Sequence, residues 1–183
     1  MKNVCVFLAD GYEEIEALTV VDILRRAGID TKMVSISDEK KVVSSHKIAV
    51  EADTTFDAMN FSETQMLVLP GGIPGTPNLQ AHEGLTDLLK EFYANGKYIA
   101  AICAAPSIFG ALGFLKGRKA CSHSSREDKL EGATVVRDSV VVSDHIIMSR
   151  GMGTAIDFAL KMVEILDGQE KAEEISRAIH YHS

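Results

Sequence analysis

Tryptophan is missing from this 183-residue chain and aromatic residues make up only 6% of it, which leaves a flavin-stacking site without support. The three cysteines, Cys5, Cys103 and Cys121, are odd in number and lack a C-x-x-C spacing. That pattern excludes a disulfide framework or a cysteine zinc cage and fits a reducing cytosol. No cluster of Lys and Arg offsets the net charge of −7, so no nucleic-acid-binding surface is expected. No apolar run approaches a membrane span, and Met1-Lys2-Asn3 leads directly into Val4-Cys5-Val6-Phe7-Leu8. Neither a membrane segment nor a targeting segment is predicted, and the expected compartment is the cytoplasm. No metal-ligand spacing stands out, so no metal and no cofactor are predicted. His46, His82 and His145 fall in or near polar segments and read as solvated, while His180 and His182 flank Tyr181 in what reads as a polar tail.

What is present is the make-up of a globular protein: 46% hydrophobic and 25% charged residues, in a length suited to one domain, 1–183. Apolar strand signals at Val4–Ala9, Thr31–Ser37, Met66–Leu69 and Ile99–Ile102 alternate with helical periodicity at Glu13–Ala27 and Leu79–Ala94 and a helix running to Leu112. Short strands are predicted near Val42–Val43, at Ile48–Glu51 and at Lys119–Ser122. Thr134–Arg137, Val140–Val142 and Ile146–Ser149 read as a β-meander. Helices over Thr154–Leu166 and Glu170–Ile179 close the chain. Such alternation predicts an α/β fold with a mostly parallel sheet covered by helices on both faces. Function in such sheets collects beyond the carboxyl ends of the strands.

At one of those ends lies Ala101-Ile102-Cys103-Ala104-Ala105-Pro106. Small residues two positions either side of a nucleophile, between a strand and a helix, are what a nucleophile elbow requires. A thiol there faces a helix N-terminus, which favours the thiolate; a buried structural cysteine is the competing reading. Glu16 heads the apolar stripe Glu16-Val20-Ile23-Ala27, so its carboxyl is expected to point inward with a raised pKa, able to hydrogen-bond Cys103 and move protons. The Gly71-Gly72 pair after a buried strand can turn backbone N–H groups toward an oxyanion, although an ordinary turn uses the same residues. The segment has neither a dinucleotide fingerprint nor a Walker lysine. His123, after the next predicted strand, can reach the same edge, and Arg150 beside Gly151-Met152-Gly153 is placed to bind an anion or cap a carbonyl.

Five segments, Ala9–Glu16, Val21–Gly28, Val68–Gly72, Ala100–Pro106 and Ser149–Thr154, occur in an order that resembles the DJ-1/ThiJ/PfpI superfamily, in the branch of the parkinsonism protein and its bacterial YajL-like relatives. The resemblance implies a flavodoxin-like sandwich, a homodimer and an oxidation-prone cysteine. It casts Cys103 as nucleophile, Glu16 as a protonated carboxyl bonded to it, Gly72 and Ala104 as oxyanion donors and His123 as the nearby imidazole. The chain departs from the branch at His46, Ser124 and Met152, where arginine, proline and proline are common. The implied activity is glyoxalase-type conversion of methylglyoxal to lactate, or removal of dicarbonyl adducts from amines and thiols, on a small reactive carbonyl or glycated substrate. The alternative is a redox sensor or redox-regulated chaperone that oxidises Cys103 to sulfinic acid. A cysteine peptidase or amidotransferase fits less well, because Ala104 stands where related peptidases carry histidine.

Overall fold

Val4, Val6 and Leu8 pack into one buried cluster while Cys5, Phe7 and Ala9 pack into another, the period-two signature of a strand buried on both faces. In the computed structural model, which describes residues 2–181, this strand, β1 (Asn3–Leu8), lies inside a seven-stranded sheet. The chain continues through α1 (Glu14–Arg26), β2 (Asp30–Ser35), β3 (Lys41–Val43), β4 (Ala49–Glu51), β5 (Thr54–Thr55) and β6 (Thr64–Leu69). Next come α2 (Gly75–Ala81), α3 (Glu83–Ala94), β7 (Tyr98–Ile102), α4 (Pro106–Ala111) and β8 (Lys119–Ala120). After a 3₁₀ turn at Ser124–Lys129, β9 (Thr134–Val135), β10 (Val140–Ser143), β11 (Ile146–Ser149), α5 (Ala155–Asp167) and α6 (Gln169–Ala178) complete it.

The sheet order is β10-β11-β7-β6-β1-β2-β5, parallel throughout except for the β10–β11 hairpin at one edge. Val20, Ile23 and Leu24 of α1 join Phe158, Met162 and Val163 of α5 over one face. Leu85, Leu89 and Phe92 of α3 join Ile108 and Phe109 of α4 over the other. The α/β architecture expected from the alternation is therefore the observed one, and among the described residues no helix is long and apolar enough to cross a membrane.

Three local expectations are corrected. The helix predicted over Leu79–Ala94 is two helices, because His82 closes α2 and its Nδ1 accepts the Leu85 N–H at 3.0 Å as the N-cap of α3. The expected three-stranded meander is only a hairpin, since Thr134–Val135 pairs in parallel with Lys119–Ala120 in a separate small sheet. His145 is not solvated: its ring lies 5.2 Å from that of Tyr93, and its Nε2 is buried. The tail is also less free than it reads, because the Tyr181 hydroxyl donates to Asp157 Oδ1 at 2.8 Å; His182 lies outside the described residues.

Strand β1 leads to β2 on one side, whereas β6 and β7 lie on the other. The boundary between β1 and β6 is thus a topological switch point, where loops leave in opposite directions and a crevice opens. The ends of β1, β6 and β7 lie side by side there and deliver α1, the Pro70–Gly75 loop and Cys103 to one place.

Candidate functional site around Cys103

Cys103 follows β7 with φ of +64°, the left-handed conformation that side chains other than glycine avoid. Its backbone is held on both sides: its N–H donates to Ser149 O at 3.1 Å, and its carbonyl accepts the His123 N–H at 2.8 Å. Such over-determination sustains strain costing roughly 1–2 kcal/mol and presents the side chain at the tip of the turn. Cys103 is also partly exposed, whereas Cys5 and Cys121 are buried. Burial pushes those two thiols up to about 11 and about 12. An alkylating reagent applied to the folded protein should therefore label one thiol per chain, at Cys103, as peptide mass mapping would show; equal labelling of Cys121 would contradict this.

Glu16 reaches the thiol from the first turn of α1. The Glu13 side chain caps that helix, its Oε2 accepting the Glu16 N–H at 2.7 Å, which orients the turn. Glu16 is 1% exposed, and its Oε2 accepts the Gly71 N–H at 2.9 Å while the carboxyl shares a hydrogen bond with the Cys103 thiol. Burial pushes its pKa up to about 7, against the lowering effect of the Cys103 and Gly71 hydrogen bonds, with the Glu13 charge adding to the rise.

The thiol behaves otherwise than a helix N-terminus alone predicts. Burial first, then the charge and hydrogen bond of Glu16, push Cys103 up to about 12, although the Ala104 and Gly72 N–H groups pull the other way. The six-residue α4 supplies too small a dipole to reverse this. From about pH 7 upward, therefore, the pair holds one proton between sulfur and carboxyl, and a thiolate forms when that proton sits on Glu16.

The glycines allow this approach. A Cβ on Gly71 would stand 2.7 Å from both Cys103 Cβ and Glu16 Oε2. One on Gly72, at φ +97°, would stand 2.5 Å from the Glu13 nitrogen and the Gly11 oxygen. Cys103, Glu16, Gly72 and Ala104 are thus brought together. His123 comes near through its backbone, and its side chain, on an exposed residue, caps the following turn: Nδ1 accepts the Ser125 N–H at 3.3 Å and lies 2.9 Å from the Ser125 hydroxyl. Arg150 has Glu127 at 3.9 Å and lines, with His123 and Met152, a cavity of about 320 Å³ that Cys103 does not border. A cavity of about 710 Å³ between α5, α6 and the β10 edge contains none of these residues.

Residues 2–165 match the DJ-1/PfpI family. The chain belongs to that family. It is 36% identical over 178 residues to protein DJ-1 homolog A of Arabidopsis thaliana, covering 96% of this chain and 45% of that one. It is 36% identical over 180 residues to protein dj-1beta of Drosophila melanogaster, covering 97% and 96%. It is 33% identical over 168 residues to the glutathione-independent glyoxalase DJR-1.2 of Caenorhabditis elegans, covering 91% and 89%. The chain spans less than half the length of the Arabidopsis relatives and nearly all of the Drosophila one. Oxidized DJ-1 of Toxoplasma gondii superposes with a TM-score of 0.95 at 35% identity over the whole of both chains, so the fold is the flavodoxin-like one of DJ-1.

Within this DJ-1/PfpI chain sequence reasoning misses two contacts: the N–H of Gly71, a residue of the pair expected to face an oxyanion, donates instead to Glu16, and Glu14 meets His46. Gly71 acts through its N–H and its lack of a Cβ; the only trace of it is a double glycine after a buried strand. Glu14 reads as a helix-dipole residue, yet it is 6% exposed with Oε1 2.9 Å from His46 Nδ1. Its partner is 32 positions away along the chain, so no local pattern announces it.

Proposed function

We propose that this protein is a cofactor-free cysteine enzyme that converts small reactive dicarbonyls to hydroxyacids, with methylglyoxal to lactate as the type reaction. The observation carrying this reading is the Glu16 carboxyl, buried, raised to about 7 and hydrogen-bonded to the strained Cys103 thiol. A proton resting on Glu16 leaves a thiolate that adds to the aldehyde carbon, forming a C–S bond and a hemithioacetal alkoxide. The Gly72 and Ala104 N–H groups, which already point at the sulfur, stabilise that charge until it takes a proton from the carboxyl. The carboxylate then removes the proton from the former aldehyde carbon and returns one to the neighbouring carbon, leaving a thioester. Water cleaves the thioester to lactate and restores the thiol. No proton step is assigned to His123, whose Nδ1 is engaged with Ser125.

The name of the Caenorhabditis relative supports this class of substrate. The thiol site is compatible with removal of dicarbonyl adducts from amines and thiols by the same addition chemistry. Ile15 and Ile48, 47% and 49% exposed, are large apolar side chains that a homodimer would cover. Three free thiols suit work in a reducing compartment such as the cytoplasm. The test is lactate formation from methylglyoxal by protein with verified free Cys103, with loss in Cys103→Ser. Absence of lactate from the parent protein would overturn the reading.

A second reading has its own observation: the N–H donors and the carboxyl around Cys103 can also hydrogen-bond the oxygens of a sulfinate, as a redox sensor or redox-regulated chaperone would need. Mild peroxide followed by intact-mass measurement distinguishes it. A two-oxygen gain confined to Cys103, with aggregation suppressed and turnover absent, would favour the sensor.

A further inference from the structure

The Ser149–Thr154 segment takes no part in the chemistry at Cys103, yet it holds the backbone that does. Ser149 ends β11, is buried, and its carbonyl accepts the Cys103 N–H at 3.1 Å. That bond is one of the two that keep Cys103 at φ +64°. A cluster of side-chain hydrogen bonds aims the Ser149 carbonyl. The Ser149 hydroxyl donates to Ser139 O, just before β10, at 2.7 Å and lies 2.6 Å from Thr154 Oγ1. Thr154 Oγ1 in turn accepts the Arg150 N–H at 3.3 Å and the Gly151 N–H at 3.2 Å.

Each hydroxyl carries one proton and two lone pairs, and that inventory sets the direction of the network. Two amides fill the acceptor capacity of Thr154, so its own proton goes to Ser149 and the Ser149 proton to Ser139. The Gly151 carbonyl, 3.0 Å from Thr154 Oγ1, is the longer alternative for the Thr154 proton. Thr154 stands at the N-cap position of α5, where a threonine hydroxyl ordinarily accepts an N–H from the first turn of its own helix. It makes no such bond here. Its hydroxyl turns back onto Ser149, Arg150 and Gly151 instead, and the result is a fixed Ser149 carbonyl, one hydrogen bond from the strained cysteine.

We propose that Thr154 is a positioning residue for the Cys103 thiol, holding the elbow through Ser149 in the strained turn that keeps the sulfur against Glu16. Without that hold Cys103 relaxes out of the left-handed region, which a residue bearing a Cβ occupies only under constraint. The sulfur then leaves the Glu16 carboxyl and the Gly72 and Ala104 N–H groups. The inference rests on Cys103 as the reactive thiol and not on any particular substrate.

Thr154→Val keeps the shape of this half-buried side chain and removes its hydroxyl, whereas Thr154→Ser keeps the hydroxyl and removes the methyl. Iodoacetamide labelling of Cys103, followed by peptide mass across neutral pH, compares them with the parent. The rate gained through pH 7, which needs the carboxyl against the sulfur, should fall about tenfold in Thr154→Val, the worth of one hydrogen bond. It should return in Thr154→Ser. Cys121, buried in the fold, reports unfolding in the same spectra, so a loss at Cys103 with Cys121 unlabelled is positioning and not collapse. If Thr154→Val does expose Cys121, the same loss is read in Thr154→Ala. Parent-like labelling in the variant that lacks the hydroxyl and keeps Cys121 covered would overturn the proposal, as would a Thr154→Ser as slow as Thr154→Val. Labelling needs no turnover, so it decides this inference even if the carbonyl reading fails.

Discussion

Replacing Glu16 by glutamine should stabilise the protein at pH 8 by about 3 kcal/mol and leave it nearly unchanged at pH 4. The carboxyl ionises near 7 in the fold, against an ordinary value of 4.5. Each unit of that gap corresponds to about 1.4 kcal/mol. A raised folded-state pKa means that the native state holds the proton longer than the unfolded chain. Its stabilisation is therefore complete below about 4.5 and is lost as pH rises through 7. Glutamine has no such cost, and its carbonyl can still accept the Gly71 N–H. For a chain of this length the gain corresponds to roughly 6–12 °C in melting temperature at pH 8. Parallel melting curves for both proteins at pH 4 and pH 8 make the comparison, and equal midpoints at pH 8 would contradict a buried, ionisable Glu16.

The same variant should simplify the chemistry of the thiol. In the parent protein, iodoacetamide labelling of Cys103 should rise through pH 7, where the pair loses its first proton, and again toward 12. In Glu16→Gln the first rise disappears. Cys103 then ionises in one step below 12, because the carboxylate charge no longer opposes it while burial still does. A retained limb near pH 7 would show that another group governs the thiol.

Gly71→Ala should be the more damaging change, although it adds only a methyl group. Gly71 does not have a positive φ, so alanine incurs no backbone strain and the effect isolates the space it occupies. That Cβ would lie 2.7 Å from Cys103 Cβ and from Glu16 Oε2, and 3.1 Å from the Ala104 nitrogen. Something must move, and overpacking of this kind costs about 1–3 kcal/mol. Either the carboxyl leaves the thiol or the elbow shifts, and a displacement near 1 Å lowers turnover about a hundredfold. The limb near pH 7 should also move down as Glu16 regains solvent. Wild-type turnover and labelling in Gly71→Ala would mean that the close packing of Gly71, Cys103 and Glu16 is unnecessary.

These expectations share one structural cause. Three neighbouring strand ends deliver a thiol, a carboxyl and a pair of backbone donors to the point where the sheet reverses its order. None of the three loops makes the site alone. Hydrogen bonds to Ser149 and His123 hold the elbow, and the Glu13 cap holds the turn that carries Glu16.

Much of this is written locally in the chain. The two-residue alternation of Val4–Ala9 marks β1, and small residues around Cys103 mark a turn too tight for larger ones. The four-residue stripe from Glu16 to Ala27 points a carboxyl at the core. These features depend on neighbours within a few positions, so the residues by themselves determine them. Tertiary structure alone decided the rest. The rise of the Cys103 pKa sums burial by two packed layers with the charge of a residue 87 positions away, which no helix-end argument contains. The His123 ring turned to Ser125 as a cap, His82 divided a periodic apolar stretch, and Glu14 met His46 across a hairpin, because each satisfied a polar group that folding would otherwise have left unpaired.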